Sequence, residues 1–330
     1  LEALYQVYRA LRGNRESSNL VMEDRREYRW LLNDDKQIES IEPSEKLQSQ
    51  RLVEECMIAT NRCAARLLSE NSASGPFVHH PGFRTDRIEE ARKFLKMHVE
   101  EVAEAELDTI EGYRQVISAL SRPEQGLPLR AMINRLLTRA ELTISPGPHM
   151  GMALPAYTNC TSPLRKFLDF LVHLQIKSIL HGEPATFATK EQVAALSARL
   201  AEARAATQEA ERWLSARYLN RITADGNTRF SGVVSHINSS GFTVRLDNCG
   251  LEGLVDLRKD PEKFSYDKWT ASLTSTTRRF QLDQAVDVEY AGNDSNEPHQ
   301  ALFTLVDGCG LKPPKPDPIS PAEASGEAEK

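Results

Sequence analysis

Apolar residues along this chain change their period once. Up to about residue 220 most recur every three or four positions, the spacing of helix faces. Beyond it they alternate, the spacing of strands. Leu1, Leu4, Tyr5, Tyr8 and Leu11 share one face of a first helix, which Gly13 and Asn14 are expected to end. Tyr28 to Leu32, the turn Asn33-Asp34-Asp35 and then Ile38 to Ile41 read as a hairpin. A long helix follows over 44–69, with Ser44 as its cap. Its stripes are Leu52, Cys56, Ala59, Cys63 and Leu67, and beside them Val53, Met57, Ala64 and Leu68. Such a broad face implies burial, with Cys56 and Cys63 as small core residues.

Residues 75–84 are punctuated by Pro and Gly, so they form a shaped loop or short strand. Helices are expected over 86–98, 104–120 and 127–137. Residues 145–149 form a turn. An apolar helix over 163–180 opens on Pro163, where a missing N–H costs nothing, and closes before Gly182. Residues 188–219 form a long, alanine-rich, charged helix anchored by Trp213, Leu214 and Tyr218.

A polar stretch over 221–229 marks a boundary. Strands are then expected over 230–237, 242–247, 250–255, 284–290 and 299–306. Five short strands in so short a segment suit a small closed barrel of the OB type. From Leu311 onward, five prolines and runs of small and acidic residues indicate a disordered tail.

Composition bounds function loosely. The net charge is −6, and acidic residues outnumber basic ones beyond residue 220, so only local patches can attract a polyanion. Five widely spaced cysteines without a CxxC pair indicate neither a structural zinc site nor a disulfide framework, and fit a reducing cytoplasm. Neither a membrane span nor a signal peptide is visible. The opening on Leu1, directly within an amphipathic pattern, suggests an amino-terminal truncation.

The densest candidate chemistry runs from Ala156 to Phe167. It is a polar loop entering a helix, which Thr161 or Ser162 can cap. Free N–H groups at such an end attract anions. Arg165 and Lys166 in the first turn oppose the helix dipole. That cost points either to a bound phosphate, which a guanidinium grips with two bonds, or to an ordinary salt bridge. His149 and His173 have no Asp or Cys partner that spacing certifies, and a core or supporting role suits His173. His79-His80 can touch phosphate or metal. No HExxH, P-loop, GxSxG or dinucleotide fingerprint occurs. On the barrel, Phe230 and His236 lie on the first strand. Phe242 and Val244 share one face of the second, and Thr243 and Arg245 the other. Phe264, Tyr266 and Trp269, interleaved with Lys263 and Lys268, form a second candidate surface. Each aromatic can equally be core.

These residues resemble the ribonuclease II and ribonuclease R family, nearer its bacterial ribonuclease II branch. Tyr157–His173 is similar to the family signature YTHFTSPIRRYADLxxHR, and Arg51–Leu68 to the family helix that follows its paired strands. Pro81-Gly82-Phe83, Pro146-Gly147-Pro148-His149 and Trp213–Leu219 fall in family order. The resemblance implies an α+β chain in three parts. Residues 1–220 are the largely helical carboxy-terminal portion of the family's catalytic domain. Residues 221–310 are an all-β, five-stranded OB barrel of the kind repeated in the largest ribosomal small-subunit protein, and 311–330 are tail.

It further implies a cytoplasmic, monomeric 3′→5′ exoribonuclease that hydrolyses single-stranded RNA processively to nucleoside 5′-monophosphates. In that family Mg²⁺ activates the attacking water. The acidic ligands come from a segment upstream of every residue here, so no metal ligand is assigned and the isolated chain is expected to be inactive. Arg165 is the expected catalytic phosphate clamp. Tyr157, Thr158, Thr161, Ser162, Lys166 and His149 are expected RNA contacts, with Phe242 and His236 on the barrel. Three positions depart from the family pattern. Asn159 and Leu174 replace a histidine and an arginine, and Thr207 falls where a late glutamate is expected. These departures keep open a degenerate homologue that binds RNA without cutting it. The acidic tail leaves room for a scaffold that assembles with other degradation proteins.

Overall fold

The structure is a computed structural model that describes residues 2–18, 20, 26–122, 127–184, 189–295, 297–306 and 308–311. The chain is α+β, a helical region followed by a closed five-stranded barrel. It divides into two compact units: residues 1–30 with 42–211, and residues 31–41 with 212–330.

Helix α1 spans Glu2–Ser18. It runs through Gly13 and Asn14, contrary to the sequence expectation. Arg15 explains why: it is buried, and its Nη2 donates to the buried Glu55 carboxylate at 2.7 Å. Packing of this kind outweighs the ~1 kcal/mol by which glycine disfavours a helix. Strands β1 (Glu27–Leu32) and β2 (Ile38–Ser44) form the expected hairpin. Helix α2 spans Gln48–Glu70, so Ser44 ends a strand instead of capping a helix. The Leu47 N–H donates to Gln50 Oε1 at 2.7 Å and so satisfies the helix entrance.

The buried face of α2 matches the expected stripes only in part, at Ala64 and Leu68. It carries Ile58, Asn61, Ala64, Ala65 and Leu68, while Cys63 is exposed and Cys56 half-buried. Ala64, Ala65 and Leu68 pack with Ala73, Phe77, Cys160 and Val172 into one core. Strand β3 (Phe77–His79) pairs antiparallel with β4 (Glu141–Thr143). Between them lie α3 (Ile88–His98), α4 (Ile110–Leu120) and α5 (Leu129–Ile133), each shorter than its apolar pattern implied. Phe94, Leu95, Val116 and Ile133 on these helices are fully buried. Each such side chain contributes roughly 1.5–3 kcal/mol by leaving water.

Helix α6 spans Phe167–His181 and ends on Gly182 in the left-handed conformation. Helix α7 spans Lys190–Ile222. Thr189 and Gln192 cap it reciprocally: Thr189 N–H donates to Gln192 Oε1 and Gln192 N–H to Thr189 Oγ1. No helix among the described residues is long and apolar enough to cross a membrane.

The barrel strands are β5 (Arg229–Asn238), β6 (Gly241–Leu246), β7 (Glu252–Asp256), β11 (Ala285–Asn293) and β12 (Ala301–Leu305), closed in the order β11-β12-β7-β6-β5. The β7–β12 pair is parallel and the others antiparallel. Between β7 and β11 the chain folds a further antiparallel sheet of β8 (Ser265–Asp267), β9 (Ser272–Thr274) and β10 (Arg279–Gln281). The sequence pattern did not indicate it. Residues 312–330, expected to be a disordered tail, lie outside the described residues.

The β5–β6 turn depends on Gly241. Its φ is +151°, and a Cβ there would overlap the Val255 carbonyl oxygen. That backbone is held in the β6–β7 ladder and has no room to shift. Gly241→Ala is therefore expected to destabilise the barrel by about 2–3 kcal/mol. Chemical denaturation followed by tryptophan fluorescence would measure it.

Candidate functional site

Residues 157–166 have no regular secondary structure, yet most of the segment is inside the helical unit. Its polar groups must therefore find partners one at a time. The Tyr157 hydroxyl accepts from Asn61 Nδ2 at 2.9 Å. Thr158 Oγ1 donates to the Pro76 carbonyl at 2.5 Å. The Cys160 N–H donates to Asn61 Oδ1 at 2.9 Å. The Cys160 carbonyl accepts from His173 Nε2 at 2.7 Å, which fixes the proton on that nitrogen. The Ser162 N–H donates to Asp169 Oδ2 at 2.8 Å. Four side chains outside the loop or at its far end thus set its path: Asn61 from α2, and Asp169, His173 and Gln175 from α6. Gln175 donates to the Ser74 and Gly75 carbonyls, in the segment that receives Thr158. Asn61 and Asp169 were not singled out in the sequence. Asn61 sits on an apolar helix face, and a polar residue on such a face is the signal that would have marked it.

This loop forms one wall of a groove of about 870 Å³. Tyr157, Asn159, Thr161, Arg165 and Lys166 line that side, and α2 the other with Val53, Met57, Ile58 and Asn61. Arg15 reaches in from α1. Arg165 and Lys166 are exposed, and among the described residues neither has a carboxylate within ion-pair distance. This favours the anion reading of Arg165 over the salt bridge.

Several expectations need correcting. Helix α6 begins at Phe167, so Arg165 and Lys166 precede it in a turn, and neither Thr161 nor Ser162 caps it. Asp169 takes the Ser162 N–H in its place. Thr158 is 1% exposed and supports the loop from inside, so it is not placed to touch a ligand. His173 is exposed, and of its two expected roles, core or supporting, it takes the supporting one through the Cys160 carbonyl. Phe242 is fully buried against Phe280, ring centroids 5.0 Å apart, and cannot stack on a base. His236 is exposed, which strict alternation from Val234 would not give. A register shift between Val234 and His236 turns it outward. Phe264 packs on Phe280 at 5.7 Å with Arg278 over its other face, so it belongs to the three-stranded insert.

His149 stacks on His80 at 5.4 Å and meets the Tyr157 ring edge-on at 5.7 Å. It backs the groove wall without lining the groove itself, and its buried Nδ1 has no partner among the described residues. Burial, and then the neighbouring His80, push its pKa from 6.5 down to about 4. His79 instead lies 3.4 Å from Glu141. Among the described residues no group of three or more His, Cys, Asp or Glu side chains is placed to hold a metal ion.

A family model described as the RNB domain matches residues 1–182. The chain belongs to the RNB family. The RNB match takes in every residue of the groove. Exoribonuclease 2 of Klebsiella pneumoniae subsp. pneumoniae is 34% identical over 241 residues, which cover 73% of this chain and 37% of that protein. The chain therefore spans well under half the length of this curated relative. RNase R of Mycoplasma genitalium, in its apo form, superposes with a TM-score of 0.76 at 17% identity, over 92% of this chain and 49% of its own. The same protein in complex with ribose-methylated single-stranded RNA superposes with a TM-score of 0.73. Yeast Ssd1, a pseudonuclease, reaches 0.53 at 18% identity, over 70% of this chain and 30% of its own. At these identities the structures establish a shared fold.

The His149 environment gives a pH signature for the RNB segment. The folded pKa lies below the unfolded one, so as pH falls the unfolded chain takes up a proton first. Stability should drop between pH 6.5 and about 4 and change no further through this group below that. The loss is at most ~3 kcal/mol. His149→Phe, which keeps a ring in the stack, should flatten this part of the profile in denaturant titrations across pH.

Proposed function

We propose that the complete protein is a 3′→5′ exoribonuclease that hydrolyses single-stranded RNA to nucleoside 5′-monophosphates. This chain supplies the parts that hold the strand. The carrying observation is the pair Arg165 and Lys166, exposed at the edge of the groove and without a carboxylate partner among the described residues, in a chain of the RNB family. Arg165 presents a planar fork of donors that matches two phosphate oxygens. Its backbone stands in a turn that follows the Ser162–Asp169 hydrogen bond. Lys166 adds a point charge beside it. Binding of single-stranded RNA by RNase R of the same fold supports this reading. The barrel contributes its outer face, with His236 and Arg245 exposed.

The complete protein should release mononucleotides from single-stranded RNA in Mg²⁺. In it, Arg165→Ala is expected to lower kcat about 100-fold while changing RNA affinity only a few-fold. Equal losses in both would remove the transition-state role and leave a binding residue. Deleting the barrel should weaken RNA affinity and flatten its dependence on salt. A filter-binding series over salt concentration checks this.

A second reading is a homologue that binds RNA without cutting it. Asn159 motivates it, because it lines the groove where the family signature has histidine. The fold is shared by a pseudonuclease, so fold does not discriminate. Binding without mononucleotide release by the complete protein would select this reading.

A further inference from the structure

The amide of Asn61 has only one possible orientation. Its Oδ1 faces the Cys160 N–H, which can only donate, and lies 3.3 Å from the Cys160 thiol. Its Nδ2 therefore faces Tyr157 and donates to the hydroxyl at 2.9 Å. A hydroxyl that accepts from an amide still has its own hydrogen to give. Among the described residues nothing accepts it. Tyr157 is 8% exposed and Asn61 4%, yet both line the groove. Burial raises the pKa of the phenol, so it stays protonated at neutral pH. An unused donor on a side chain buried to this degree is costly unless a ligand takes it. Arg15, on the same groove, has a buried Nε that also lacks an acceptor among the described residues. The deep part of the groove thus offers donors to an accepting oxygen.

We propose that the Tyr157 hydroxyl, aimed by Asn61, donates a hydrogen bond to a sugar–phosphate oxygen of an RNA strand in this groove. Tyr157 is the binding residue and Asn61 the residue that positions it. This contact lies deeper than the Arg165–Lys166 pair and is separate from it. The proposal rests on the reading of the groove as an RNA seat. The acceptor is either a phosphate oxygen or the ribose 2′-oxygen, which offer the same chemistry to a phenol.

The test uses the 330-residue chain and fluorescent single-stranded oligonucleotides of one sequence, as RNA and as DNA. Tyr157→Phe removes one hydroxyl and no charge. It should weaken RNA binding about 5–10-fold. Asn61→Leu should give a similar loss, and the double variant no further loss, because the two groups act as a unit. Thermal melting of each variant separates this from a role in loop stability, which would lower Tm and leave the affinity of the folded chain unchanged. An equal loss on RNA and DNA assigns the contact to phosphate, and a loss confined to RNA assigns it to the 2′-oxygen. Unchanged affinity of folded Tyr157→Phe for both strands overturns the proposal. If the wild-type chain binds RNA through Arg165 but ignores Tyr157→Phe, this inference alone fails. If it binds no RNA, the reading of the groove fails with it.

Discussion

A stretch of irregular backbone inside a helical unit can persist only if its polar groups are satisfied, and the rest of this site depends on that requirement. Residues 157–162 have no ladder or helix to supply partners. They borrow them from Asn61, Asp169 and His173, and Thr158 reaches the Pro76 carbonyl. These are buried or half-buried contacts, where an unmade hydrogen bond costs about 1–3 kcal/mol. The loop is therefore held in one path, and the groove wall it forms keeps one shape. Helix α6 serves both this loop and the core. Its buried residues include Asp169, Gln175 and Ser178 beside the core residue Val172, while Phe167, Phe170 and Leu180 are exposed.

The same constraint places the charges. Because Asp169 takes the Ser162 N–H, the chain makes a turn through Pro163–Arg165 before the helix starts. Arg165 and Lys166 thus escape the unfavourable first-turn position that their sequence implied. They cost the helix little and remain directed toward solvent and groove. Among the described residues, unpaired cations at the edge and unused donors further in give the groove two levels, both suited to an oxygen-rich strand.

In the barrel, closure and the β-bulge do comparable work. The alternating pattern puts Val234, Phe242, Val244 and Leu246 inside. The register shift after Val234 then sends His236 outward, beside the face that carries Arg245. A single extra residue reverses which side chains meet solvent, because strand faces alternate with period two.

Much of this protein was legible in its residues. The change of apolar period marked the helical region and the strands, since burial of one face imposes that period directly. Turn residues placed the hairpin and the β5–β6 loop, because few residues tolerate those backbone angles. The family signature identified the loop and Arg165. Helix ends were less legible: α1 outran Gly13 because Arg15 found Glu55, α2 began late because the chain through Ser44 is strand and Gln50 takes the Leu47 N–H, and α6 began late because Asp169 takes the Ser162 N–H ahead of a turn. Which polar groups hold the loop was decided only in three dimensions. Asn61 lies 96 residues from Tyr157, and no local pattern joins them. The burial of Phe242 and the exposure of His236 likewise followed from closure and from one register shift. Sequence sets periods and turns because they are local. Partners across the fold are chosen by which distant groups packing brings within reach.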